Sequence, residues 1–308
     1  MERARAVTET SERPAGAPAK LAILLELVKF EHSVFALPYA YIGALYGAAW
    51  AGSDSGGWPS IADIVWITVV MVGARAFAFV LNRAIDREID ARNPRTAGRA
   101  IPAGLIKAGE LWLFAGVMLA AYLVGVWQLA EITRLLWPIP LLVFFAYPYT
   151  KRFTPLCHYW LGLALGLAPV GGWVAVGGPI VHPAPWLLGM AVLLWTAGFD
   201  IIYATQDLEC DIRDGVHSMP ADYGVGPALL QTRVAHAVTV LLLLAGGYLA
   251  GAGWPWFAGT AVAGALLWYE NSIVSPDRLE RVNAAFFTVN GIIAVVVGLS
   301  AVADRVVR

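Results

Sequence analysis

The chain has 308 residues, of which 59% are hydrophobic and only 14% charged, with a mean hydropathy of +0.65 and a net charge of −1. Soluble globular domains carry roughly 25% charged residues, so the composition reads as a membrane protein. The net charge says nothing about nucleic acid, which is not expected as a partner, and the informative quantity is where the basic residues fall. Two cysteines, Cys157 and Cys210, lack metal-ligand spacing and are too few for a disulfide framework, so both read as packing residues.

In chain order, residues 1–28 read as a disordered cytosolic tail. Its opening, "MERARAVTETSERPAGAPAK", carries Glu2, Glu9 and Glu12 and no apolar core, unlike a signal peptide or an acid-poor transit peptide. Residues 29–308 read as one polytopic membrane domain. A bilayer core of about 30 Å needs about 20 apolar residues in helix. Nine stretches meet that need, near 31–52, 60–82, 109–129, 133–149, 156–177, 185–206, 227–251, 254–270 and 284–303. The fold expected is therefore all-α, with nine transmembrane helices around a central cavity. Pro138 with Pro140, Pro169 and the segment "GGPIVHPAPW" mark bends or turns. Gly43 with Gly47, and Gly162 with Gly166, are small-xxx-small pairs that let helices approach closely. Asp63 falls at the outer interface, and His217 reads as a loop-ordering residue.

Lys and Arg near spans collect on the cytoplasmic side. Sixteen of the 21 fall on one set of alternate loops: five up to Lys29, six between Arg83 and Lys107, then Lys151, Arg152, Arg213, Arg278 and Arg281. Arg134, Arg305 and Arg308 fall on the other set, and Arg75 and Arg233 lie within spans. The expected topology has its amino terminus in the cytoplasm and its carboxyl terminus outside. The long charged loops then share the inner face, and function is expected there.

At that face the second span runs into "NRAIDREIDARNPRTAGR" (82–99). Continued as a helix at 100° per residue, it places Asn82, Asp86 and Asp90 within about 80° of arc, with Arg75 below them. The sixth span runs into "DIIYATQDLECDIRDG", where Asp200, Tyr203, Asp207 and Asp211 also fall within about 80° and Glu209 points away. Asp86 and Asp207 lie 121 residues apart, a weak internal repeat in which each half presents a carboxylate pair.

Charged residues at a helix end often only mark the water interface, and Arg83 or Arg87 would neutralise Asp86 and Asp90 in that case. Two clusters with like charges stacked on one face favour a bound cation instead. Carboxylates and an Asn carbonyl are hard oxygen ligands of the kind that hold Mg²⁺ and leave room for phosphate. The neighbouring arginines and Lys151 complement a diphosphate. Such a head group beneath a membrane cavity implies an amphiphilic substrate. A polyprenyl diphosphate fits, and so does a nucleotide-activated lipid.

"NRAIDREIDARNPRTAGRAIPAG" resembles the first aspartate-rich motif of the UbiA superfamily of intramembrane prenyltransferases, and "DIIYATQDLECDIRDGVHSMPADYG" resembles the second. "VKFEHSVFALPYAYIG" (29–44) and "YPYTKRFT" (147–154) support the match, which runs from about residue 29 to at least 224. Many members carry Asp directly after the motif Asn, where this chain has Arg83. The form of the first motif resembles the 4-hydroxybenzoate polyprenyltransferase-like branch, which includes enzymes of bacterial menaquinone routes.

The resemblance implies an enzyme of the bacterial inner (plasma) membrane that moves a polyprenyl group from its diphosphate to an aromatic acid in ubiquinone or menaquinone biosynthesis. Two Mg²⁺ ions would be held by Asp86 and Asp90 on one side and by Asp207 and Asp211 on the other. Those four and Tyr203 form the expected catalytic set, with Tyr203 facing the allylic cation or the acceptor. Asn82, Arg99, Lys151, Arg152, Asp200 and Arg213 are expected to bind diphosphate or acceptor. Two other readings stand beside this one: the same fold with a tetrapyrrole or glycerol phosphate acceptor, and a transporter with acidic ion sites. A transporter should place polar groups at the bilayer midplane or on both faces, whereas these charges gather at one face.

Overall fold

The computed structural model describes Ile23 and residues 36–52 and 56–308. Apart from Ile23, the tail expected over 1–28 lies outside the described residues, as does the start of the first expected span. The described helices are α1 (Leu37–Ala51), α2 (Ile61–Ile85), α3 (Arg87–Arg92), α4 (Ala108–Gln128), α5 (Thr133–Leu136), α6 (Pro138–Thr150) and α7 (Cys157–Ala175). They continue with α8 (Pro183–Ala204), α9 (Leu208–Asp214), α10 (Met219–Tyr223), α11 (Val225–Leu249), α12 (Trp254–Ile273) and α13 (Asn290–Val307). Among the described residues, five stretches are long and apolar enough to cross a membrane: Ile61–Ile85, Ala108–Gln128, Pro183–Asp214, Val225–Leu249 and Ala284–Val307.

Local chemistry accounts for where these helices start and stop. Ser60 and Asp63 close a reciprocal cap on α2, with the Asp63 N–H donating to Ser60 Oγ at 3.0 Å and the Ser60 N–H donating to Asp63 Oδ2 at 2.9 Å. Asp63 is thus a helix cap. The stretch expected as one span over 133–149 is two pieces, α5 and α6, separated at Trp137. Pro138 opens α6, a position where its missing N–H removes no helical bond.

The expectation of continuous helix through both aspartate motifs is corrected by two breaks. Asp86 ends α2 and precedes α3 with φ −91° and ψ 6°. Asp207 ends a 3₁₀ turn, Thr205–Asp207, and precedes α9 with φ −102° and ψ 3°. Both residues occupy the sparsely populated bridge region, where many active-site residues sit. The same break at equivalent carboxylates supports the repeat read from the sequence.

Helix α7 is held between α1 and α8 at backbone distance. A Cβ on Gly43 would lie 2.0 Å from the Pro169 carbonyl oxygen, and one on Gly172 would lie 1.9 Å from that of Ala40. On the other side a Cβ on Gly162 would come within 2.3 Å of the Leu193 carbonyl oxygen. The small residues expected at crossings therefore do meet a facing backbone. Gly43→Ala should lower the melting temperature in detergent, since overpacking costs about 1–3 kcal/mol. Gly116→Ala, on a face with nothing within 4 Å, should not lower it.

Large aromatics fill the second half, where Trp173, Trp195 and Trp256 are all buried with Tyr46. The Tyr46 hydroxyl donates to Asp304 Oδ2 at 3.1 Å, and the Gly253 N–H donates to Asp304 Oδ1 at 2.7 Å. These bonds tie α1 to α13 and to the α11–α12 connection.

Candidate active site

A cavity of about 950 Å³ opens where the two aspartate motifs meet. Along α2 its wall runs from Arg83 to Ile67, which is about 24 Å of helix at 1.5 Å per residue. The end near the breaks is polar, with Asn82, Asp90, Arg99, Lys151, Asp207 and Asp211 on its wall. The far part is mostly apolar, with Met71, Ala74, Val126, Leu129, Leu165 and Ala168, and Arg75 stands on its wall with its guanidinium 4.7 Å from the Phe79 ring centre.

Each carboxylate at the polar end has its own partners. Asp86 sits just behind the wall, 1% exposed, with Lys151 Nζ 2.5 Å from Oδ2 and Arg152 Nη1 donating to Oδ1 at 3.3 Å. Burial pushes the Asp86 carboxyl above its ordinary range, against the pull of Lys151 and Arg152. Asp90 accepts two bonds from Arg99 Nη1 at 2.9 Å each and one from Arg83 Nη1 at 3.3 Å. Asp207 is gripped by Arg95, whose Nε donates at 2.9 Å and whose Nη2 also donates to it, and by Asn93 Nδ2 at 2.7 Å. Asp211 accepts from Ser218 Oγ at 2.9 Å.

Beside the second pair stands an aromatic wall. The Tyr203 ring lies 4.1 Å from that of Phe286 and 6.0 Å from that of Phe287, centroid to centroid. The guanidinium of Arg95 rests 5.1 Å from the Tyr203 ring centre and donates to its hydroxyl at 3.0 Å. Phe286 and Phe287 belong to a π-helical turn, Ala284–Val289, at the head of the last membrane-length stretch. Such turns recur at functional sites.

Of the residues expected at the site, Asn82, Asp90, Arg99, Lys151, Asp200, Tyr203, Asp207 and Asp211 all line the one cavity. Arg152 turns to Asp86 and to the carbonyls of Ile85 and Pro148. Arg213 pairs with Asp214 and the Arg92 carbonyl, away from the cavity wall. Exposed Glu209 is also off the wall, as its helical phase implied. The sequence reading missed Arg95, Asn93, His158, Phe286 and Phe287. Only His158 left a signal, as an ionisable residue at the head of an apolar span. The His217 ring ties to its own loop, with Nδ1 2.9 Å from Asp222 Oδ2, and its backbone N–H donates to the Lys151 carbonyl at 2.8 Å.

Fold and cavity together define a multi-pass helical membrane protein with an amphiphilic chamber. The profile of the UbiA prenyltransferase family matches residues 40–292. A 4-hydroxybenzoate octaprenyltransferase of Alcanivorax borkumensis is 33% identical over 239 residues, covering 77% of this chain and 81% of that protein. Its counterpart in Marinobacter nauticus is 30% identical over 282 residues, covering 90% and 92%. Among solved structures, an apo UbiA homolog from Aeropyrum pernix K1 aligns with a TM-score of 0.80 at 32% identity, over 89% of this chain and 98% of that one. A UbiA homolog from Archaeoglobus fulgidus bound to GPP and Mg²⁺ shares the fold, with a TM-score of 0.68 at 20% identity, over 91% and 99%. The chain belongs to the UbiA prenyltransferase family, in its 4-hydroxybenzoate polyprenyltransferase branch, and is a prenyltransferase.

Proposed function

We propose that this prenyltransferase moves a polyprenyl group from a polyprenyl diphosphate to the ring of 4-hydroxybenzoate or a related aromatic acid, in ubiquinone or menaquinone biosynthesis. The observation that carries this reading is a cavity with Asp90, Asp207 and Asp211 on its wall at one end and Asp86 just behind it, running along about 24 Å of α2 to a mostly apolar far part. That length approaches the ~30 Å of a bilayer's hydrocarbon core and suits a long hydrocarbon tail. The nine-span topology with the amino terminus in the cytoplasm, in a bacterial plasma membrane, is part of the proposal. It is supported by the meeting of three loops from the basic set, through Lys151 with Asp86, Arg95 with Asp207, and Arg213 with the Arg92 carbonyl.

The donor set suits Mg²⁺: four carboxylates, all hard oxygen ligands, with Asp90, Asp207 and Asp211 on the wall at one end of the cavity and Asp86 just behind it. Among the described residues no three His, Cys, Asp or Glu converge on a point, because basic side chains hold Asp86, Asp90 and Asp207. Asp86 with Asp90, and Asp207 with Asp211, would hold the two ions, which supply charge neutralisation to a departing diphosphate. Arg95, Arg99 and Lys151 line the cavity within reach of that head group and can turn from carboxylate to phosphate oxygen. Tyr203 and Phe286 both line the cavity, and their rings would stabilise positive charge developing on the allylic carbon. The apolar wall keeps water from that carbon.

Mass spectrometry of the products tests the reading directly. Purified protein with Mg²⁺, a polyprenyl diphosphate and a panel of aromatic acids should yield the prenylated acid. Prenylation of only a tetrapyrrole or glycerol phosphate added to the panel would move the chain to another acceptor.

A further inference from the structure

Asp200 stands apart from the other carboxylates of the cavity. It lies on α8 seven residues before Asp207, about 10 Å deeper at 1.5 Å per residue. Asp86, Asp90 and Asp207 each face Lys or Arg, whereas among the described residues the partner of Asp200 is His158, whose Nδ1 lies 2.6 Å from Asp200 Oδ2. His158 is 3% exposed, in the first turn of α7. The Met219 N–H donates to its Nε2 at 3.2 Å. A ring nitrogen that accepts a backbone N–H carries no proton there, so Nδ1 is the nitrogen that donates to Asp200.

This chain of bonds has a fixed origin. Met219 is buried at the start of α10, where the Ala221 N–H donates to Ser218 Oγ, and Ser218 Oγ in turn donates to Asp211. His158 therefore holds one Asp200 oxygen from behind. The carboxylate remains on the cavity wall, with its side chain 21% exposed. A carboxylate so held can only accept hydrogen bonds, so the ligand it selects carries a proton donor.

We infer that His158 is a positioning residue that aims Asp200 at the hydroxyl of the aromatic acceptor, making this deeper end of the polar wall the acceptor's recognition site. The inference rests on the aromatic-acceptor reading given above. A site built to bind a hydroxyl rejects analogues that lack it, because its polar group is then left unpaired.

The test compares kcat/KM for 4-hydroxybenzoate and 4-methoxybenzoate, with Mg²⁺ and one polyprenyl diphosphate, in wild type, His158→Leu, His158→Asn and Asp200→Asn. Wild type should prefer the hydroxy acid by at least about 100-fold. His158→Leu should raise the acceptor KM and shrink that preference at least about tenfold, while the KM for diphosphate holds. His158→Asn, whose amide N–H can replace Nδ1–H, should recover most of the preference. Asp200→Asn should lose it, which keeps the test decisive if His158→Leu does not fold. Equal losses on both acceptors in His158→Leu and Asp200→Asn would overturn the inference and leave the function standing. So would an intact preference accompanied by a raised Mg²⁺ requirement, which would place Asp200 with the metal ligands. A wild type that prenylates neither acid overturns the aromatic-acceptor reading and this inference with it.

Discussion

Asp207→Asn is expected to reduce turnover by at least about 10³-fold, the scale on which loss of one preorganised electrostatic group acts. Asparagine keeps the size of the side chain and removes the charge that Arg95 and Asn93 converge upon. The side chain is partly exposed, so the protein should fold and melt cooperatively. Asp86→Asn should be as inactive and also less stable. Its carboxylate is buried against Lys151 and Arg152, and removing it leaves two cations facing each other. Both cations are partly solvated, which limits the cost to about 1–3 kcal/mol. Exposed Glu209 is the control, and Glu209→Gln should change turnover less than about twofold. Product formation followed beside thermal melts in detergent separates the two effects. Near wild-type turnover in both aspartate variants would remove the carboxylate pairs from the mechanism.

Chelation is the second large effect. EDTA should abolish product formation, and added Mg²⁺ should restore it, because a diphosphate can draw Arg95, Arg99 and Lys151 off their carboxylates only if divalent cations take their place there. Ca²⁺ should restore only a minor fraction, since its longer bonds and looser geometry place phosphate oxygens differently. The substitutions above give a second readout: isothermal titration with Mg²⁺ and a non-hydrolysed diphosphate analogue should show weaker metal binding in Asp207→Asn. Full turnover in excess EDTA would exclude metal-assisted departure of the diphosphate.

Much of the site was legible because spans and stripes are local patterns. Hydropathy located the five membrane-length helices, and helical phase placed Asn82, Asp90, Tyr203, Asp207 and Asp211 toward one chamber and Glu209 away from it. The breaks at Asp86 and Asp207 were not legible, since neither has Pro or Gly to announce it. Arg95 and Asn93 reach Asp207 across more than 110 residues of sequence, a distance over which spacing carries no information. His158 had a partial signal. A carboxylate at Asp200, inside an apolar span, requires a buried donor, and the sequence does not say which helix supplies it.

The balance of charge at the polar end has a thermodynamic consequence. Arg83 and Arg99 are committed to Asp90, Lys151 and Arg152 to Asp86, and Arg95 to Asp207. A diphosphate that draws these cations away leaves bare carboxylates behind, and a divalent ion that takes the carboxylates leaves bare guanidinium groups. Each ligand alone must break pairs that the other would replace. Under the proposed function the polar end would act as an ion exchanger with two linked ligands, and metal and diphosphate are expected to raise each other's affinity by one common factor.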